Sequence, residues 1–220
     1  PLLQTQGVLN IFVILLLVDV VAGPILTFLV FNREKKSLKF DLAVIVILQL
    51  SALAYGLDTV YQGRPVYLVY NVDKISVVSA ADLVYVEGET APQSDYLDFP
   101  AWGPELIGTI RPKTREQKND LLFSAISGGR DLDRRVEYYV PIESVADEIK
   151  HWLRPLDELM ERSDSDVAIL EPRLAKLHMA AENVGYLPVA GSKRDCVALI
   201  DRATAEVLAL VLLTPLGWEL

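Results

Sequence analysis

Hydrophobic positions in the first sixty residues fall into two unbroken runs, Val8 to Phe31 and Leu42 to Tyr61. The polar segment Asn32 to Asp41 separates them and carries Arg33, Lys35, Lys36 and Lys39. A bilayer core of roughly 30 Å needs about 20 residues of helix, and each run is long enough. The pattern predicts a transmembrane helical hairpin over residues 1–62. Its short basic turn is expected on the cytoplasmic side, which sends everything after Tyr61 to the opposite face. The chain starts at Pro1 without an initiator methionine. If the first helix ends in the cytoplasm, Pro1 lies outside, and a further upstream helix is expected to have carried it there. A cleavable signal peptide is the rival, but its apolar region is shorter and ends in a small-residue cleavage site.

Polar and small residues within the runs mark their contact faces. Asp19 lies near the middle of the first run, where a carboxyl should face protein rather than lipid. Ala22, Gly23 and Thr27 follow it at helical spacing, giving a small-residue stripe that lets another helix approach closely. Gln49, Ala52 and Gly56 form a comparable stripe on the returning helix. Three readings stand open: Asp19 hydrogen-bonds within its own bundle, the stripe receives a partner's transmembrane helix, or the carboxyl belongs to a proton pathway.

Beyond residue 62 the periodicity shortens. Val66 to Tyr70 and Ile75 to Val78 read as strands around the turn Asn71 to Lys74, and Ser79 or Asp82 opens a short helix. Thr114 to Ser127, Val145 to Arg154, Leu156 to Arg162 and Pro172 to Asn183 read as helices. Ser163 to Asp166 reads as a break between the last two. The chain closes on strands at Tyr186 to Val189, Cys196 to Ile200 and Val207 to Leu213. The fold class is α+β: residues 63–220 form an exported domain with a small antiparallel sheet and three to four helices. The stretch Pro92 to Pro104 has no period but contains Tyr96, Phe99 and Trp102. A long aromatic loop is either a contact surface or a cover for the core.

Charge sharpens this division. Arg33, Lys35, Lys36 and Lys39 balance Asp19, Glu34, Asp41 and Asp58, so the net charge of −9 belongs to the exported domain. An acidic domain repels phosphate backbones, which argues against nucleic-acid binding. The single cysteine, Cys196, excludes an internal disulfide and, in its apolar run, reads as a buried inert thiol. Glu148 with His151, and His178 with Glu182, have helical ligand spacing, yet a carboxylate-bridged metal site needs more such pairs. No nucleophile motif or phosphate loop is present. The expectation is a protein without catalysis, metal or cofactor.

Several segments resemble the TfpX/TfpZ family of type IV pilin accessory proteins. They are Val18-Asp19-Val20-Val21-Ala22-Gly23-Pro24-Ile25-Leu26-Thr27, Lys36-Ser37-Leu38-Lys39-Phe40-Asp41-Leu42 and Leu53-Ala54-Tyr55-Gly56. The likeness continues through Tyr61, Arg64-Pro65-Val66-Tyr67, Val69, Asp73 and Val77-Val78-Ser79-Ala80, and returns in the hairpin from Ala198 to Leu208. The resemblance implies a multi-pass inner-membrane protein of a Gram-negative bacterium with its C-terminal domain in the periplasm. Its partners would be membrane lipid and a particular major type IV pilin. It would act as a chaperone in pilus assembly, or shift the balance between extension and retraction; the alternative is a membrane-bound enzyme modifying pilin or a lipid-linked substrate. On this reading Asp19, Ala22, Gly23, Thr27, Gln49, Ala52, Gly56, Tyr96, Phe99 and Trp102 are the candidate partner-binding residues.

Overall fold

Helix α1, Leu38–Gln62, is apolar on every side, and only Gly56 is buried along its 25 residues. The computed structural model describes residues 13, 17, 20–21, 23–29, 38–85, 92–127 and 129–218. Among these, α1 is the one helix long and apolar enough to cross a membrane. Only 6% of its most apolar stretch is buried, so it is not the core helix of a soluble domain. At about 1.5 Å per residue it spans about 37 Å, enough for a hydrocarbon core with both ends in the interfacial layers. Of the first apolar run, residues 23–29 are helical. The basic turn expected at 32–41 lies outside the described residues except for its last few positions, which begin α1.

Arg64 precedes Pro65, a position biased away from helix, and the chain passes at once into a sheet. Its strands are β1 (Pro65–Asn71), β2 (Lys74–Ser79), β3 (Glu105–Thr109), β4 (Tyr139–Pro141), β5 (Arg154–Pro155), β6 (Val184–Ala190), β7 (Cys196–Asp201) and β8 (Val207–Val211). The order is β4-β3-β1-β2-β6-β7-β8, with β5 added beside β6. The expected hairpins are present: β1 pairs antiparallel with β2, and β7 with both β6 and β8. The sheet is nevertheless larger than expected and mixed, because β1–β3 and β2–β6 run parallel. These two contacts join segments far apart in sequence, and β3 and β4 are too short to show a period of their own.

Both faces of the sheet are covered, which explains why β1 is buried at every position. Leu68, Tyr70, Leu187 and Val189 pack against Val145 and Ile149, the latter on helix α3 (Ala146–Trp152). Tyr186 and Leu199 meet Leu159 of α4 (Asp157–Met160) and Leu170 and Leu174 of α5 (Asp164–Leu177). Tyr67, Val69 and Ile107 are roofed by Val136 and Tyr139, with Tyr96, Leu97 and Phe99 against them.

Helix α2, Arg115–Ile126, lies where the sequence places it. The last helix does not. Ser163 to Asp166 opens α5 instead of breaking the chain, because the Ser163 hydroxyl accepts the Asp166 N–H at 3.3 Å as a helix cap. Asp166 then pairs with Arg162 at 2.6 Å. The helix continues through Pro172 and stops where His178 turns left-handed at φ 55°. Residues 178–183 are therefore not part of it, and Ala181–Asn183 form a separate 3-10 turn.

Candidate functional site

The membrane-helix stripe is the first candidate. Asp19 and Ala22 lie outside the described residues. Gly23 is buried, Thr27 half-buried, Gln49 half-buried, Ala52 exposed and Gly56 buried. A methyl group built on Gly23 would collide with the Gln49 Nε2, with Cδ at 3.3 Å and Oε1 at 3.4 Å. The two stripes thus meet within this chain: the missing side chain of Gly23 makes room for the Gln49 amide. Leu17, earlier in the same apolar run, is exposed.

The aromatic loop is the second candidate, and its three aromatics divide. Ser94 caps a 3-10 turn over Asp95–Leu97 by accepting the Tyr96 N–H at 3.3 Å. That turn aims Tyr96 inward, where the Tyr67 hydroxyl donates to the Tyr96 carbonyl at 3.0 Å. The Tyr67 ring stands edge-on to Tyr96 at 6.1 Å, to Phe99 at 6.5 Å and to Tyr139 at 5.8 Å. Such T-shaped contacts add to area burial. Burial pushes the Tyr67 phenol up to about 12, with the nearby Glu105 carboxylate adding to the shift. The Tyr139 and Tyr96 phenols also rise, chiefly through burial. Tyr96 and Phe99 therefore close over the core. Trp102 points away and is 94% exposed, beside Gly103 at φ +65°.

Sequence reasoning missed a third surface. On α2, Leu122, Phe123 and Ile126 are 60%, 69% and 82% exposed. Their spacing places them along one side of the helix, a signal legible in the sequence. After α2, the Arg130 guanidinium stacks 3.7 Å above the Tyr85 ring and donates to the Val84 carbonyl. Arg135 reaches back to Asp120 on the helix at 2.6 Å.

The possible metal pairs do not assemble. Glu148 forms an ion pair with Arg111 at 2.9 Å, while His178 and Glu182 both lie beyond the end of α5, the first at its left-handed cap and the second in the following 3-10 turn, so they lose their helical spacing. Among the described residues, no group of three or more His, Cys, Asp or Glu side chains could hold a metal ion. Cys196 is fully buried in β7, and burial pushes its thiol up to about 11, which suppresses the reactive thiolate at neutral pH.

Similarity to known proteins adds what the geometry leaves open. The chain is 28% identical over 211 residues to the fimbrial assembly protein of serogroup I of Dichelobacter nodosus, covering 92% of this chain and 79% of the relative. The serogroup E1 protein of that organism matches to the same extent. Its fimbrial assembly protein of serogroups C1 and C2 is 35% identical over 89 residues, which cover 40% of this chain and 68% of the relative. The chain belongs to the fimbrial assembly proteins. Membership supports a role in pilus assembly, and these relatives are named for assembly rather than for a reaction. No family model matches the chain. No solved structure matches it either.

Proposed function

We propose that this fimbrial assembly protein is a multi-pass inner-membrane chaperone of the TfpX/TfpZ kind, which binds its cognate major type IV pilin and promotes pilus assembly. The observation that carries the reading is the direct passage from α1 into β1 of the globular domain in a chain related to fimbrial assembly proteins. A pilin awaiting assembly has a helix in the membrane and a head outside it, so a partner built of a membrane helix and an attached domain matches it part for part. On this reading the globular domain is periplasmic and the basic turn cytoplasmic. Pilin's helix lies along the hairpin beside Asp19, Ala22, Thr27 and Ala52, with Gly23, Gln49 and Gly56 holding the two helices together.

The test is affinity capture of the chain from detergent-solubilised membranes at native expression. Retention of the major pilin is the expected result, and its absence from the capture together with undiminished piliation of a deletion strain would reject the proposal. Reporters fused after Leu220 and at Ser37 test the topology independently: the first should be active only as a periplasmic reporter, the second only as a cytoplasmic one.

A further inference from the structure

We infer that the end of the globular domain nearest α1 rests on the membrane, with Trp102 inserted in the lipid headgroup layer, so that the domain sits on the bilayer in a fixed orientation. This rests on the reading that α1 spans the bilayer. Helix α1 is capped at its far end by Gly63 N–H to the Thr59 carbonyl and Arg64 N–H to the Tyr61 carbonyl, at 3.0 and 3.3 Å. The Arg64 guanidinium lies 3.7 Å over the Tyr61 ring. An aromatic ring with a cation at a helix end is an interfacial anchor.

The direction of the strands brings the loop with Trp102 to the same end of the domain. Strand β3 runs parallel to β1 with Glu105 opposite Tyr67. The pairing begins at Glu105, so the loop before it, with Trp102 and Gly103 three and two residues upstream, enters the sheet at the end where β1 receives the chain from α1. Trp102 is three residues, at most about 11 Å, from Glu105, which keeps it at that end of the domain. The headgroup layer is roughly 5–7 Å thick on each side, and the indole can reach it. Trp102 is 94% exposed, while the other aromatics of its loop are turned into the core. Val84, 52% exposed, follows the 3-10 turn Ala80–Leu83, which lies beside the end of α1. The exposed carboxylates of Asp98 and Glu105 flank Trp102 in sequence and limit insertion to the headgroup depth. Continuity with the spanning helix selects lipid as the occupant of this surface.

The experiment uses the full chain carrying Trp152→Phe and Trp218→Phe, which leaves Trp102 as its only tryptophan, reconstituted in phosphatidylethanolamine/phosphatidylglycerol vesicles. Lipids brominated close to the headgroup should quench its emission by roughly half, and aqueous iodide should quench it little. Free quenching by iodide with none by brominated lipid overturns the inference. A Ser51→Cys variant tests the underlying span separately. If Ser51→Cys resists a polar maleimide while Trp102 stays open to iodide, α1 is embedded and the headgroup contact alone fails. If Ser51→Cys labels freely in intact vesicles, the span fails and the inference falls with it. Shielding of Trp102 only after purified pilin is co-reconstituted also overturns it, because the surface would then be a protein-docking site.

Discussion

Replacing Gly23 by leucine separates an internal role of the helix stripe from a partner-binding one. The site has no room for a side chain: even a methyl group would overlap the Gln49 amide. All three nearest atoms belong to the far end of one flexible side chain, so Gly23→Ala should displace that amide at a cost of no more than about 1 kcal/mol. Leucine is too large for that escape. Overpacking of this kind costs about 1–3 kcal/mol, and any hydrogen bond Gln49 makes across the pair adds about 0.6 kcal/mol when lost. Gln49→Ala removes as many non-hydrogen atoms as leucine adds beyond glycine. The Gly23→Leu/Gln49→Ala double variant should therefore recover to within about 1.5 kcal/mol of the parent. The assay is thermal unfolding of the full chain in detergent, read alongside its level in membranes and the pilin captured with it. Gly23→Leu should lower stability and level, and capture should fall only in proportion. Undiminished stability with selective loss of pilin would refute the reasoning and make Gly23 a partner contact.

The globular domain supports three further predictions. Gly108→Ala drives a methyl group into Val145 Cγ2, with Cγ1 at 3.2 Å and Val140 Cγ2 at 3.4 Å. Valine is stiff at χ1 and cannot retreat, so a loss of about 1–3 kcal/mol is expected as a lower denaturation midpoint, with partial recovery in Gly108→Ala/Val145→Ala. Val72 holds φ 62° in the two-residue turn between β1 and β2, a backbone that costs a β-branched residue about 1–2 kcal/mol. Val72→Gly relieves this but adds freedom to the unfolded chain, leaving a net gain of about 0.5–1 kcal/mol and a higher melting temperature. Tyr67 rises from 10.0 to about 12 on folding, so its protonated form favours the native state. That stability is complete below pH 10.0 and is lost as pH rises toward about 12. Alkaline titration followed by tyrosinate absorbance should show delayed ionisation ending in cooperative unfolding, and independent titration of every phenol near pH 10 would contradict it.

Local pattern determined much of this protein. The apolar run of α1 is read directly, since a helix facing lipid must be apolar all round and long enough to cross. The β1–β2 and β6–β7–β8 hairpins are equally legible, because sequence neighbours pair through short turns. So are α2 and the buried position of Cys196. Helix α5 was misplaced although its signal was present: Ser163 and Asp166 can mark a break or a cap, and only the hydrogen bond they make decides between them. Tertiary structure alone decided the parallel pairings of β1 with β3 and β2 with β6, which close long loops and leave no local trace. It also divided the aromatic loop. Tyr96, Phe99 and Trp102 have the same character in sequence, but the Tyr67 ring and hydroxyl draw the first two inward, while Trp102, beside the left-handed Gly103, stays exposed. Periodicity gives the face a residue occupies within its own element; what covers that face depends on elements distant in the chain.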